Sequence, residues 1–437
     1  MSDYMFMLDS HLSSEQSRVV SAVRDAAAEA NLNLFLTGGA MRDLMGGFPT
    51  RDLDFAVEGN SLKLAKTVAQ KLHAKVLITD EDKKSVELIS EGGVTFEIAM
   101  ARQEKYGKPG SKPHYHPATI YEDLRGRDFT VNAIALSLGQ ASRGLLLDPT
   151  NGLADLEHRE LRAVSNYTLY DDPSRILRLI RFRVRLGFQY AERTQTQYEN
   201  VREAQMETKI PATAVARELR QLALEPLAGD VLKAFEDEKL IFLISPALEG
   251  PKLNLAGFQK LHKAKQLLPF DIDLGVNHFA LFMFVLLEKL SPKERAALVK
   301  SMGITKAEME SVSKVEAKAK KLEKELTSSK LQRPSALYAL LSKMPGELLV
   351  FLLMRSNQRL VSDRIKNYLQ KYLPAAKEIS EEEIAGEIGK QSGPKYEKLR
   401  EKFIAARLDA RPKKIVPVEP PPPPPPVQGR RTSSFGR

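Results

Sequence analysis

Cysteine is absent from this 437-residue chain, which excludes a disulfide framework, thiolate catalysis and cysteine-ligated zinc. Long apolar runs are absent too. The longest, Phe279 to Leu287, falls well short of the roughly 20 residues a membrane-spanning helix requires. The first residues, MSDYMFMLDSHLSSEQ, place an acid at Asp3 and no basic stretch ahead of an apolar one, so no secretory signal is legible. A cytoplasmic protein without membrane contact is expected. Several phosphate-handling signatures are missing as well: no G-x-x-x-x-G-K-[ST] loop, no G-x-G-x-x-G fingerprint, no kinase catalytic loop and no His-Asp dipeptide of the metal phosphohydrolase type.

What is present is charge of one sign. Lys and Arg number 66 against 56 Asp and Glu, a net +10, and such a surplus favours polyanionic partners, nucleic acid first among them. The length exceeds what one core supports, so several domains are expected. Residues 14–30 have the apolar spacing of an amphipathic helix and lead into the strand-like LNLFLT. Further strand candidates are LDFAVE, AKVLIT, SVELIS, TFEIAM and AIALSL, interleaved with helical SLKLAKTVAQKLH. From about Asp172 strands vanish and helical periodicity takes over to about residue 409. In KAEMESVSKVEAKAKKLEKEL the alternating charges read as a solvated helix face. The end, VPVEPPPPPPPVQGRRTSSFGR, cannot bury enough apolar surface to fold and reads as a disordered spacer.

Chemistry concentrates in LTGGAMRDLMGGFPTRDLDFAVEG, residues 36–59. In a strand, Asp52 and Asp54 share one face while Leu53 points into the core. Two adjacent carboxylates repel unless a cation lies between them. Hard oxygen donors suit Mg²⁺, completed by waters and substrate phosphates, the arrangement of two-metal nucleotidyl transfer. Gly38 and Gly39 close a strand and open a helix, where backbone N–H groups can hold a phosphate, with Arg42 nearby. A second triplet, Asp271-Ile272-Asp273, lacks glycines and a basic partner and reads as structural. His114 and His116 flank Tyr115 between prolines and read as loop.

Three further stretches follow in order: RDFTVNAIAL (127–136), DPTNGLADLEHRELRAV (148–164) and DDPSRILRLIRFRVRLGF (171–188). With GGAMRD…RDLDF they resemble the motif set of the class II tRNA nucleotidyltransferase (CCA-adding enzyme) and bacterial poly(A) polymerase family. The resemblance implies an α/β head of the polymerase-β type, a mixed sheet with helices, followed by all-α neck, body and tail. It places the head at 1–150, the neck at 151–240, the body and tail at 241–415 and the proline-rich tail at 416–437. The implied reaction is template-independent addition of C, C and A to the 3′ end of tRNA from CTP and ATP, with Mg²⁺ as cofactor and pyrophosphate released. CC-only, A-only or poly(A) addition are the alternatives within the family, and a catalytically silent RNA-binding protein is the alternative outside it. Asp52 and Asp54 match the metal carboxylates. Gly39, Arg42 and Arg127 match nucleotide contacts.

In DDPSRILRLIRF, Asp171 or Asp172 can cap a helix whose first turn holds Pro173. Asp172, Arg175, Arg178 and Arg181 recur every third residue and form one polar face that drifts slowly round the helix. Cytosine and adenine each present an amino donor beside a ring-nitrogen acceptor; uracil and guanine present the reverse. A carboxylate with a guanidinium therefore matches C and A. The resemblance gives Asp172 and Arg175 that role, and gives Arg178 and Arg181 a hold on the nucleotide further along. Glu97 in TFEIAMAR is the candidate third carboxylate, and Asp128 a candidate partner of the arginines. Two positions depart from the family pattern: Gly126 replaces the first arginine of R-R-D, and Asp171 replaces a Glu. The Gly-, Pro- and Lys-rich stretch 105–124 occupies the place of the family's flexible loop, which favours the full CCA reading.

Overall fold

The computed structural model describes residues 3–108, 111–269, 272–388 and 394–410. Asp271 of the second Asp-x-Asp triplet and the proline tract of 416–437 lie outside them.

Chain order in the first third is α1 (Asp3–His11), α2 (Ser14–Glu29), β1 (Asn33–Thr37), α3 (Gly38–Gly46), β2 (Leu53–Glu58), α4 (Ser61–Leu72), β3 (Lys75–Asp80), β4 (Ser85–Ile89) and β5 (Thr95–Met100). There follow a ribbon of β6 (Arg102–Lys105) and β7 (His114–Pro117), then α5 (Ile120–Arg125), β8 (Ala135–Ser137) and β9 (Leu146–Leu147). Seven strands form one mixed sheet in the order β3-β4-β5-β2-β1-β8-β9. Its β2·β5 pair is parallel and the others are antiparallel. Central β2 buries Leu53, Phe55 and Val57 almost completely, worth about 1.5–3 kcal/mol per large side chain relative to exposure. Ile120 and Leu124 of α5 pack with Phe35 and Ala56. Helix α2 starts in a reciprocal cap: Gln16 N–H donates to Ser13 Oγ, and Ser13 N–H donates to Gln16 Oε1.

Strand β2 coincides with the predicted LDFAVE. Thr37, the last residue of β1, pairs with Asp54, and the chain then turns into α3 at Gly38; Asp52, expected on the strand face, precedes the strand. The 105–124 stretch also differs from a plain loop. His114-Tyr115-His116 lies in β7, register-matched to β6 through Glu104 and Tyr115, with the Arg102 guanidinium 5.6 Å from the Tyr115 ring.

The chain continues through α6 (Gly152–His158), β10 (Glu160–Leu161), α7 (Thr168–Asp171), α8 (Arg175–Leu186), β11 (Gln189–Tyr190), α9 (Glu192–Glu203), α10 (Ala212–Leu224), α11 (Ala228–Asp237) and α12 (Leu255–Lys265). Then come α13 (His278–Leu287), α14 (Pro292–Ser301), α15 (Lys306–Leu326), α16 (Pro334–Leu341), α17 (Gly346–Arg355), α18 (Arg359–Asn367), α19 (Leu373–Lys377), α20 (Glu381–Ile388) and α21 (Pro394–Asp409). Strands do not stop at Asp172: β11 pairs in parallel with β10. Helix α15 spans the charge-alternating run and buries Val312, Val315, Ala319, Leu322 and Leu326, a three–four spacing that leaves the charges on the solvated side. Among the described residues, no single helix is long and apolar enough to cross a membrane.

Compactness divides the chain into two units. One comprises Met1–Ser328 and Met344–Lys366; the other comprises Ser329–Lys343 and the described part of Asn367–Arg437. The second has its own core, with Ile379, Ile384, Ile404 and Leu408 packed against Tyr338, Tyr372 and Phe403.

Candidate active site

The site is built where β1 turns into α3. Gly38 has φ +66°, and a Cβ there would lie 2.9 Å from Arg127 Nη1 and 3.0 Å from Asp54 Oδ2. The turn therefore requires glycine for its backbone and for the close approach alike. The Gly39 N–H donates to Asp54 Oδ2 at 3.0 Å, so this amide, predicted to face a phosphate, is engaged with the carboxylate beside it.

Sheet register aligns the acids. Asp54 pairs with Glu97 across β2·β5, and Glu97 pairs with Glu87 across β5·β4, so three carboxylates stand side by side on one face. Asp52 lies at the exposed lip of this row. Burial, then Glu97 and Asp52, push the Asp54 carboxyl up to about 7, against the pull of Arg127 and the Gly39 amide. Burial also raises Asp52, opposed by Arg51 and Arg185. Glu87 is raised by burial and by Glu97. The sheet face is crowded with negative charge that lacks enough positive charge beside it.

Arg127 borders the row. It donates to Asp123 Oδ2 through Nε at 3.1 Å and Nη2 at 2.8 Å, and to Thr37 Oγ1 at 3.1 Å. Asp123 sits one turn upstream on α5 and fixes the guanidinium next to Asp54 and Gly38.

The other wall is α8 and the turn before it. The regular helix starts at Arg175, after a turn through Pro173 and Ser174; Asp172, the residue before the proline, is extended, with φ −130° and ψ 90°. Its carboxylate accepts from Ser174 N at 3.0 Å and Ser174 Oγ at 2.6 Å. Arg175 Nε lies 3.8 Å from Asp172 Oδ2, so acceptor and donor are adjacent. Arg175 Nη2 also reaches Glu104 Oε2 at 3.5 Å and Tyr106 Oη at 3.4 Å, while Tyr106 donates to Glu104 at 2.9 Å.

Arg178 donates to Asp128 Oδ2 at 2.6 Å. Burial opposes ionisation of Asp128, but Arg178, Arg175 and Asn132 hold it well below the usual carboxylate range.

Two predicted nucleotide contacts are placed elsewhere. Arg42, 3% exposed, donates to Asn132 Oδ1 at 2.8 Å and Asp43 Oδ1 at 2.7 Å and lies 4.8 Å from the Phe182 ring. It braces α3 from within. Arg181 is 5% exposed and donates to Glu218 Oε1 at 2.5 Å and Glu225 Oε1 at 2.9 Å. Its every-third-residue spacing from Arg175 turns it away from the former side, because three residues fall short of a full helical turn and the face drifts.

Sequence reasoning missed Glu87, Glu104, Tyr106, Asp123 and Asn132. Alternation in SVELIS placed Glu87 on a strand, but only the register places it beside Glu97. Asn132 lies five residues after Arg127 in a quoted motif; Asp123, Glu104 and Tyr106 carried no signal that separates them from ordinary surface residues.

Asp52 and Asp54 suit a divalent cation: they are hard oxygen donors, and Glu97 and Asp52 repel the Asp54 carboxylate where burial already disfavours its charge. Among the described residues no group of three His, Asp or Glu side chains is disposed as a complete metal cage. The donor set thus fits an ion that takes two carboxylates and completes its shell from water and substrate oxygens.

A mixed sheet carrying this acidic row beside a glycine turn, followed by helices, defines the class: a nucleotidyltransferase-type head with a helical continuation. Residues 34–162 match the family described as poly A polymerase head domain. An A-adding tRNA nucleotidyltransferase of Aquifex aeolicus is 27% identical over 381 residues, covering 85% of this chain and 45% of that protein. A CCA-adding enzyme of Pseudomonas putida is 32% identical over 232 residues, covering 52% and 59%. A solved apo form of a CCA-adding enzyme is 23% identical with a TM-score of 0.52, covering 94% of this chain and 96% of that one; this likeness shows the shared fold. The chain spans about half the length of the first curated relatives it matches.

Proposed function

We propose that the chain is a template-independent tRNA nucleotidyltransferase that completes the 3′ CCA end from CTP and ATP and releases pyrophosphate. The observation that carries the reading is the placement of Asp54, register-matched to Glu97 and beside the Gly38 turn, with Asp172 just before α8 and Arg175 at its start paired with each other. Asp52 and Asp54 would hold magnesium, with Glu97 as neighbour. When bound, magnesium lowers the pKa of an attacking hydroxyl and neutralises charge on the departing pyrophosphate. Arg127, fixed by Asp123, is placed to meet the triphosphate. Asp172 accepts from the exocyclic amine of cytosine or adenine while Arg175 donates to the ring nitrogen; uracil and guanine present the opposite polarity and are refused. Arg178, with its side chain 37% exposed, stands next along α8 to support the bound nucleotide.

A second reading, addition of the terminal A alone, is favoured by one observation: relatives matched over 85% and 93% of this chain are named A-adding. Others are named CC-adding or CCA-adding. The test is incubation of the purified protein with tRNA lacking CCA, and with tRNA ending in CC, each with labelled CTP or ATP. Stepwise C, C, A on the first substrate supports completion of the whole end. A single A on the second with nothing on the first selects the A-only reading, and a long A tract overturns both in favour of poly(A) synthesis.

A further inference from the structure

Behind the acidic row, where the segment after α3 meets the neck, lies a cavity of about 350 Å³ lined by Phe48, Arg51, Arg185, Glu225, Leu227 and His262 among others. Its charge is unbalanced. Glu225 is 2% exposed and faces three guanidiniums: Arg181 at 2.9 Å, Arg51 at 3.2 Å and Arg185 at 3.8 Å. Asp43 is likewise shared between Arg42 and Arg185, each at 2.7 Å. Lys265 adds a further cation, its Nζ donating to the Ala223 carbonyl at 3.2 Å. Glu218 is spent on Arg181, and Asp52 lies near enough to Arg51 and Arg185 to draw on both. The protein answers this surplus by weakening its bases: burial and then Arg42 push the Arg185 guanidinium down to about 10, and burial with Arg51 pushes Lys265 down to about 8. An anion entering the cavity would reverse both. The rest of the wall is apolar, with Phe48 presenting an aromatic ring that leans on Phe188 at 6.3 Å. Cations beside an aromatic and aliphatic wall, in a space of nucleotide size, are the composition of a stacking pocket for single-stranded nucleic acid.

We propose that this cavity binds one nucleotide unit of the RNA primer, its phosphate between Arg51 and Arg185 and its base against Phe48 and Leu227. The inference rests on the tRNA reading above and adds a second RNA foothold next to Asp52, distinct from the position of the incoming nucleotide. The shared chemistry is a phosphate-bearing nucleotide, and RNA is favoured over a free nucleotide because Asp172 and Arg175 already offer the latter a place.

The chain contains no tryptophan, so Phe48→Trp installs a single fluorophore in the cavity wall. The probes are an acceptor-stem minihelix lacking CCA, CTP alone and inorganic phosphate alone, with RNA binding followed separately by mobility shift. The expected result is quenching by the minihelix that saturates with the mobility shift, and none from CTP or phosphate. Arg51→Gln should lower the salt slope of minihelix binding by about one. Leu227→Phe, which narrows the space, should weaken it about tenfold and leave the KM for CTP unchanged. Quenching by CTP or phosphate but not by RNA overturns the RNA assignment. A minihelix that shifts without altering indole emission or responding to Leu227→Phe overturns the site while leaving the proposed activity standing. A minihelix that never shifts overturns the tRNA reading itself. Should Phe48→Trp not fold, Leu227→Trp places the same reporter on the opposite wall, and the same outcomes apply.

Discussion

Asp54 and Asp128 are the same residue type, both enclosed by the first unit, yet their carboxyls move in opposite directions. Asp54 rises to about 7 because burial is joined by Glu97 and Asp52. Asp128 falls, because Arg178, Arg175 and Asn132 outweigh burial. The contrast extends to their regions. Around α8 most buried charges are answered from within: Arg42 by Asp43, Arg178 by Asp128, Arg181 by Glu218 and Glu225, whereas Arg51 and Arg185 at the Phe48 cavity share acids already paired with other arginines. On the sheet face Asp54 accepts from the Gly39 amide and feels Arg127 without a side-chain ion pair among the described residues, and Arg51 and Arg185 offset the burial of Asp52 only in part. Internally satisfied charge holds a structure together, whereas unsatisfied charge marks the place where something else must bind.

The sharpest way to break this comparison is to remove one charge from each region. Asp54→Ala should reduce transfer by at least about 10³-fold, since the cation would lose a ligand at the reacting atoms, while tRNA affinity by mobility shift stays close to wild type. Equal loss of both would make Asp54 structural. Arg181→Ala should do the reverse. It leaves Glu218 and Glu225 buried with a partner missing, a loss of about 3–5 kcal/mol, read as a lower midpoint in urea unfolding. An Arg181→Ala protein of normal stability would show that the seam does not depend on its internal pairing.

The two regions also differed in how far they could be read beforehand. The glycine turn, β2 and the Asp-x-Asp spacing follow from local rules, since strand alternation and the steric freedom of glycine act over a few residues. Glu97 was locatable as a strand acid for the same reason, although its alignment with Asp54 is a property of parallel β2·β5 pairing that no local pattern contains. The arginines of α8 were misjudged where tertiary packing decides. A three-residue spacing predicted one polar face, but Arg181 turns to meet Glu218 and Glu225 from α10 and the residue after it. Arg42 was assigned to the nucleotide from its place in GGAMRD, and burial against Phe182 and Asn132 redirects it. Asp171 and Asp172 offered two caps for one helix; Asp171 ends α7, and Asp172, extended before Pro173, accepts from Ser174 in the turn that leads into α8.

Arg175 straddles the two regions, since it is tied to Glu104 and Tyr106 yet adjacent to Asp172. Replacing it by alanine should relax discrimination between CTP and UTP by about tenfold in kcat/KM, roughly the value of one charge-assisted hydrogen bond. The KM for tRNA should change little. Unchanged selectivity would place Arg175 with the internally satisfied arginines.

The smallest effect follows from the uncompensated acids themselves. The Asp54 carboxyl ionises ordinarily near 3.8 and in the folded protein near 7, so between these values the metal-free folded state binds the extra proton. A folded pKa raised above the unfolded one contributes stability that is complete below the lower value and lost as pH rises through the higher. Metal-free protein should therefore melt at a temperature that declines between about pH 4 and pH 7 more steeply than the Asp54→Asn variant does. For a single, partly solvated carboxyl in a unit of this size the difference is about 2 °C. Magnesium holds the carboxylates ionised and should erase the excess slope in the wild type while leaving Asp54→Asn unmoved. Thermal melts across that pH range, with chelator and with magnesium, decide the matter: an excess slope that survives magnesium, or that persists in Asp54→Asn, would mean the sheet face is not short of positive charge.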